Sequence, residues 1–247
     1  MAESGHEEAE MAGRVAVLGG SGKTGRSVRA ALEARGAEGV PIGRAEWDDL
    51  AEAFAGCDAA YVITPNLHPD EPGYVVTALS ALADAGVGRV VYHSVASPCV
   101  PAMPHHLGKA VAEDHVRRWE LAWTILQPGA YLQNLDLTRD VVVPYDVHAR
   151  FGFLDLADLG AAAATVLLED GHVGATYELA TRSATVAELA AEAGVTAARG
   201  EPPADAHPWL LAMFAYYDRH GLPVGTRVLD ALLGRGVWGR SGSPADR

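Results

Sequence analysis

The stretch Val17-Leu-Gly-Gly-Ser-Gly-Lys-Thr-Gly25 constrains this chain more than any other. It follows a short apolar run, Arg14-Val-Ala-Val-Leu18, and precedes an amphipathic stretch that reaches about Arg35. Strand, glycine turn and helix in that order open a strand–helix–strand unit. Two nucleotide-binding turns compete for it. A phosphate loop of the ATPase kind needs Gly-x-x-x-x-Gly-Lys-[Ser/Thr], so that successive backbone N–H groups wrap a phosphate. With Gly22-Lys23-Thr24 as its tail, the leading glycine would be residue 17, which is a valine inside the strand. The dinucleotide reading fits instead. Gly19 makes the tight turn, Gly22 lets the backbone approach a pyrophosphate, and Gly25 lets the helix pack closely. The helix N-terminus then faces the phosphates, with Ser21, Lys23 and Thr24 placed to touch them.

The second strand ends Val40-Pro-Ile-Gly-Arg44. An acidic residue there would bind the ribose hydroxyls of NAD, whereas a basic one accepts the 2′-phosphate of NADP. Arg44 favours NADP(H), and Glu46 beside it leaves NAD(H) open.

Downstream, short apolar runs alternate with helical stretches. Strands are expected at 40–42, 58–63, 89–94, 123–126 and 176–179, and helices at 46–55, 74–85, 105–119, 155–168 and 186–193. Gly36 and Gly86 sit where helix ends need positive φ. Asp155 or Asp158 can cap the helix that follows, and Thr185 with Glu188 forms a capping box. Unbroken apolar strands alternating with helices imply an α/β fold, a doubly wound parallel (Rossmann) sheet covered on both faces. We place this domain at 14–199. From 200 the texture changes to a proline-rich linker, then two helical segments separated by Gly221-Leu-Pro223. These read as a small helical C-terminal substrate subdomain at 200–234. Residues 1–13 read as a disordered leader and 235–247 as a disordered tail.

Composition excludes several classes. The chain has 247 residues, 49% hydrophobic, and no run near the ~18 apolar residues that span a bilayer. A net charge of −13 argues against direct nucleic-acid binding. Two cysteines, Cys57 and Cys99, are too few for a disulfide framework or a zinc site, and each reads as a small buried apolar side chain. A reduced, cytoplasmic setting is the simplest reading.

Several stretches together resemble a known family: GGSGKTG, YVITPNLHPDEPG, RVVYHSVASPCVPAMPHHLGKAVAED and WTILQPGAYLQNL. They resemble the NmrA-like proteins, atypical members of the short-chain dehydrogenase/reductase superfamily, over about 14–233. The resemblance implies an NAD(P)-binding Rossmann domain with a small substrate subdomain. It does not imply one activity, since relatives include both NADPH-dependent reductases and redox-sensing regulators.

Reductases of that superfamily use Tyr-x-x-x-Lys with an upstream serine, the tyrosine donating a proton and the lysine holding the nicotinamide ribose. Lys109 fits the lysine position and Ser94 or Ser97 the serine. His105 stands where the tyrosine would be, and could replace it as proton donor because imidazole titrates near working pH. Were Lys109 a solvated helix lysine, Glu113 would be its i+4 partner. Thr64, Pro65 and Asn66, after the third strand, lie on the adenine and ribose side. Gln127 stands where the family commonly has arginine. Tyr131 and Asn134 point toward the nicotinamide and the substrate. Trp209, Phe214, Tyr216 and Tyr217 could close an apolar site. His93 and adjacent His105 and His106 lack the i, i+4 spacing of a helical ligand pair, so no metal is assigned.

Three functions follow. The first is an NADPH-dependent reductase of a small quinone- or enone-like substrate. The second is a non-catalytic NAD(P) sensor acting on a protein partner or as a homodimer. The third is a non-redox cyclase or isomerase on the same scaffold.

Overall fold

The computed structural model describes residues 13–235. The segments read as leader and tail therefore lie outside the described residues, save for Gly13 and Arg235. Strand β1 (Arg14–Leu18) leads through the glycine turn into α1 (Lys23–Glu33), and β2 (Glu38–Ile42) follows. A short 3₁₀ turn and α2 (Leu50–Phe54) precede β3 (Ala59–Val62). Then come α3 (Glu71–Asp84), β4 (Arg89–His93), α4 (Pro104–Arg118) and β5 (Ala122–Pro128).

These five strands and a later one, β9 (Ala175–Leu179), form a six-stranded, all-parallel sheet in the order β2-β1-β3-β4-β5-β9. Alternation along β1 explains its unbroken apolar run. Val15 and Val17 pack toward α1 and α5 (Leu156–Leu168), whereas Ala16 and Leu18 pack toward α2, α3 and α4. Both faces are buried, so the strands carry no polar alternation.

The expected helix closures hold, with Gly36 at φ +79° and Gly86 at φ +74°. Asp155 caps α5, its carboxylate accepting from Ala157 N–H at 2.7 Å. Asp158 instead binds Thr181 Oγ1 at 2.7 Å and pairs with Arg235. The Thr185/Glu188 capping box opens α6 (Val186–Glu192). Helix α3 begins three residues before the start expected from its apolar pattern. Asp70 caps it, accepting from Gly73 N–H at 2.9 Å, and Pro72 stands in its first turn.

A second core surrounds short strands not expected from the sequence: β6 (Ala130–Tyr131), β7 (Val141–Val143), β8 (Phe151–Leu154), β10 (Arg182–Ala184) and β11 (Ala197–Arg199). They make a three-stranded sheet, β10-β8-β6, and a pair, β11-β7. Phe151, Phe153, Val143, Val186 and Leu222 are buried in this core, which draws on residues well upstream of 200. The two C-terminal helices part company. Helix α7 (Pro208–His220) lies against α4, while α8 (Arg227–Leu232) returns to α5 and β9 and buries Leu229 in the main core. Cys57 is buried as expected, but Cys99 is exposed, because it sits in the loop between β4 and α4. Among the described residues no helix is long and apolar enough to cross a membrane.

Candidate cofactor and active site

The strand order reverses between β1 and β3, and in open parallel sheets ligands bind outside the carboxyl ends of the strands at such a point. There the structure has one continuous cleft of about 1650 Å³. Typical small-ligand pockets occupy ~300–1,000 Å³, so this cleft has room for a dinucleotide and a second molecule.

Its floor is the glycine turn. Gly19 has φ +83°, a conformation that side chains disfavour. A Cβ on Gly25 would meet Gly20 Cα at 2.6 Å, so the first turn of α1 packs against the glycine turn itself. Helix α1 has Gly22 at its N-cap, with no side-chain cap and no acidic residue in its first turn. Its N–H groups are therefore free to meet an anion. Gly19, Ser21, Gly22, Lys23, Thr24 and Gly25 all line the cleft. Lys23 Nζ donates to Asn134 Oδ1 at 3.0 Å, so Asn134 reaches over the phosphate end of the cleft.

At the β2 end the lining includes Gly43, Arg44, Trp47 and Tyr74, the last two stacked at 4.1 Å. Glu46 is turned to its own backbone, its carboxylate accepting from Gly43 N–H at 2.8 Å. Thr64, Pro65 and Asn66 line the middle of the cleft. Thr64 Oγ1 is buried without a hydrogen-bond partner, which is costly unless a ligand supplies one. An uncapped helix N-terminus, a lysine beside it and an orphaned hydroxyl on the floor fit a dinucleotide.

The far end holds the residues expected to do chemistry. Lys109 is 7% exposed, and Nζ donates to Glu71 Oε1 at 2.6 Å and to the His93 carbonyl at 3.3 Å. Glu71 also accepts from Tyr92 O–H at 2.7 Å, and its other oxygen is buried without a partner. The pairing of Lys109 with Glu113 is thus corrected. Glu113 instead accepts from Ser94 Oγ–H, from Gln127 Nε2 at 2.7 Å and from Arg117 at 2.8 Å. The buried Glu113 needs those donors, and Gln127 supplies one of them.

His105 is buried against Trp209, and its Nδ1 has no partner. Burial, and then the Lys109 charge, lower its pKa. His105 is therefore neutral at working pH, and a neutral imidazole gives up its N–H proton poorly. His106 is wholly buried, pushed down to about 4 chiefly by burial, and bridges the Ser97 carbonyl at 3.3 Å and Tyr217 Oη at 3.2 Å. It ties α4 to α7. Ser97 itself holds φ +52°.

Of the four C-terminal aromatics, Phe214 and Tyr217 line the cleft, joined by Tyr145, Phe151 and Phe153. Trp209 packs behind His105, and Tyr216 lies beside His220. Tyr131 lines the cleft, its hydroxyl 2.9 Å from His93 Nε2. His93, which spacing along the chain gives no role, is fully engaged: Nδ1 lies 2.7 Å from Tyr61 Oη. The only local signal is a histidine at the end of a strand whose neighbours carry tyrosine.

Comparison with known proteins gives the same picture. The chain is 29% identical over 181 residues to the NAD(P)H azoreductase of Xenophilus azovorans, covering 69% of this chain and 62% of that one. It thus spans about three fifths of that curated relative. An Escherichia coli NADPH-dependent quinone oxidoreductase complexed with NADPH superposes with TM-score 0.72 at 22% identity, over 89% of this chain and 94% of that one. The negative transcriptional regulator NmrA in complex with NAD superposes with TM-score 0.74 at 17% identity, over 91% and 92%. These two likenesses establish the Rossmann-like fold. The family model described as NAD(P)H-binding matches residues 26–170, more than half of the chain, and the chain belongs to that NAD(P)H-binding family.

Proposed function

We propose that this protein is an NADPH-dependent reductase of a small, flat, conjugated acceptor of the quinone or azo kind. The observation that carries this reading is the single cleft, which joins the glycine turn to a chamber walled by Tyr145, Phe151, Phe153, Phe214 and Tyr217. Aromatic walls with no charged side chain among them suit an uncharged planar molecule. The azoreductase and the quinone oxidoreductase are named for acceptors of this electron-poor type, which supports the assignment.

The bound dinucleotide supplies a hydride. Gly19, Ser21, Gly22, Lys23, Thr24 and Gly25 hold its pyrophosphate, and Arg44 takes the 2′-phosphate of NADP. Thr64, Pro65 and Asn66 contact the middle of the molecule. Lys109, held by Glu71, reaches the nicotinamide ribose, with Ser94 and His105 beside the reacting end. Neutral His105 serves as a hydrogen-bonding side chain there. Asn134 steadies Lys23, and Tyr131 faces the acceptor.

The test is titration with NADPH and NADH, followed by loss of nicotinamide absorbance with a panel of quinones and azo dyes. We expect tight NADPH binding and turnover. Tight binding without oxidation by any acceptor would replace the reductase with a sensor.

A further inference from the structure

If the protein is a reductase, the reduced acceptor needs a proton, and the tyrosine usual before Lys109 is absent. A chain of three side chains, two of them on adjacent strands of the main sheet, ends in the cleft. Tyr61 Oη on β3 lies 2.7 Å from His93 Nδ1 on β4, and His93 Nε2 lies 2.9 Å from Tyr131 Oη, just past β5.

The direction of this chain follows from burial. Tyr61 is 0% exposed, and among the described residues His93 Nδ1 is the hydrogen-bond partner of its hydroxyl. A phenol has one hydrogen to place, and a buried O–H without an acceptor is costly. Tyr61 therefore donates to Nδ1. Burial, and then Lys109, push His93 down to about 3, so the ring is neutral and carries one hydrogen. With Nδ1 accepting, that hydrogen is on Nε2, which donates to the Tyr131 oxygen. Tyr131 does not spend its own hydrogen on His93. Its O–H is left for the cleft that the residue lines. Burial pushes the Tyr131 phenol well up, and the Thr24 hydroxyl beside the same oxygen pulls the other way, toward the phenolate.

We propose that Tyr131 is the catalytic residue that protonates the reduced acceptor, with Tyr61 and His93 as positioning residues that aim its hydroxyl. This rests on the reductase reading. Hydride delivery to a quinone leaves an oxyanion on the product. The Tyr131 O–H bond breaks as the product O–H bond forms, and the negative charge passes to the Tyr131 oxygen. There His93 Nε2–H and the Thr24 hydroxyl hold it until solvent returns a proton. Donor and product are both phenols; burial makes the Tyr131 proton harder to give up, and the His93 Nε2–H and Thr24 donors work against that by holding the phenolate.

The first test needs no activity: ¹⁵N NMR of histidine-labelled protein without cofactor should show His93 protonated on Nε2. Protonation on Nδ1 would overturn the inference. In turnover, Tyr131→Phe should lower kcat by about a hundredfold or more while the Kd for NADPH stays within about twofold. An undiminished kcat would overturn it. Tyr61→Phe should lower kcat without raising KM, and the double variant should be no slower than Tyr131→Phe alone. Additive losses would remove the positioning role. A wild type that oxidises NADPH with no acceptor would take down the reductase reading and the donor role with it. The Nδ1 tautomer in an active wild type would take down this inference alone.

Discussion

Lys109 on α4 and Glu71 at the start of α3 form a buried ion pair at 2.6 Å, 38 residues apart in the chain. Removing one member of such a pair strands the other charge without solvent. Lys109→Met should therefore destabilise the fold by about 3–5 kcal/mol, read as a lower urea midpoint. Lys109→Met with Glu71→Gln should recover much of the loss, since glutamine can still accept from Tyr92. A single variant as stable as wild type would show that the pair does not support the fold.

Arg44 lines the cleft at the β2 end while the nearby Glu46 carboxylate is held by Gly43 N–H. A hydrogen bond to a charged group is worth ~1.5–3 kcal/mol. Arg44→Ala should thus weaken NADPH binding by about tenfold to a hundredfold and NADH binding far less. Equal losses in a fluorescence titration would refute a role for Arg44 in reading the 2′-phosphate.

Two glycines of the turn should fail in different ways. A Cβ on Gly22 would meet only Gly19 O at 3.3 Å, whereas one on Gly25 would press into Gly20 at 2.6 Å. Gly25→Ala should cost about 1–3 kcal/mol of stability through overpacking. Gly22→Ala should leave the melting temperature nearly unchanged and reduce nucleotide affinity. The reverse pattern would contradict the packing described above.

His93 and His106 are both held neutral by burial, pushed down to about 3 and about 4. The unfolded chain protonates its histidines below pH ~6.5, whereas the native protein leaves these two bare until far lower pH. The unfolded state thus binds more protons, and stability falls as pH drops from about 6.5 toward 4. Each group contributes about 1.4 kcal/mol per pH unit in that window. Urea midpoints at pH 7, 6 and 5 should decline, and His106→Gln should flatten the slope by about one proton. A midpoint constant over that range would rule the effect out.

Features coded within a few residues are legible in the sequence. Gly19 and Gly25 in the turn, Gly36 and Gly86 after helices, and Thr185 with Glu188 depend on local φ or local hydrogen bonds. The parallel sheet is legible because burial on both faces leaves strands apolar throughout. Helix α3 is legible only in part. Its apolar pattern begins at Tyr74, while its first turn is coded by the cap and proline of Asp70-Glu-Pro72, which place Glu71 in a helix facing Lys109.

By itself the sequence determined the Rossmann order of elements, the glycine turn and hence the class of ligand, because these rest on spacing along the chain. Tertiary structure alone decided that Lys109 meets Glu71 rather than Glu113, that α8 leaves α7 to join the main core, and that Tyr61 on β3, His93 on β4 and Tyr131 on β6 join in one hydrogen-bonded chain. It also decided the small strands, two to four residues long, whose partners lie far along the chain, as Val141–Val143 with Ala197–Arg199. Such short segments have little preference of their own. They become strands only when folding brings their partners alongside.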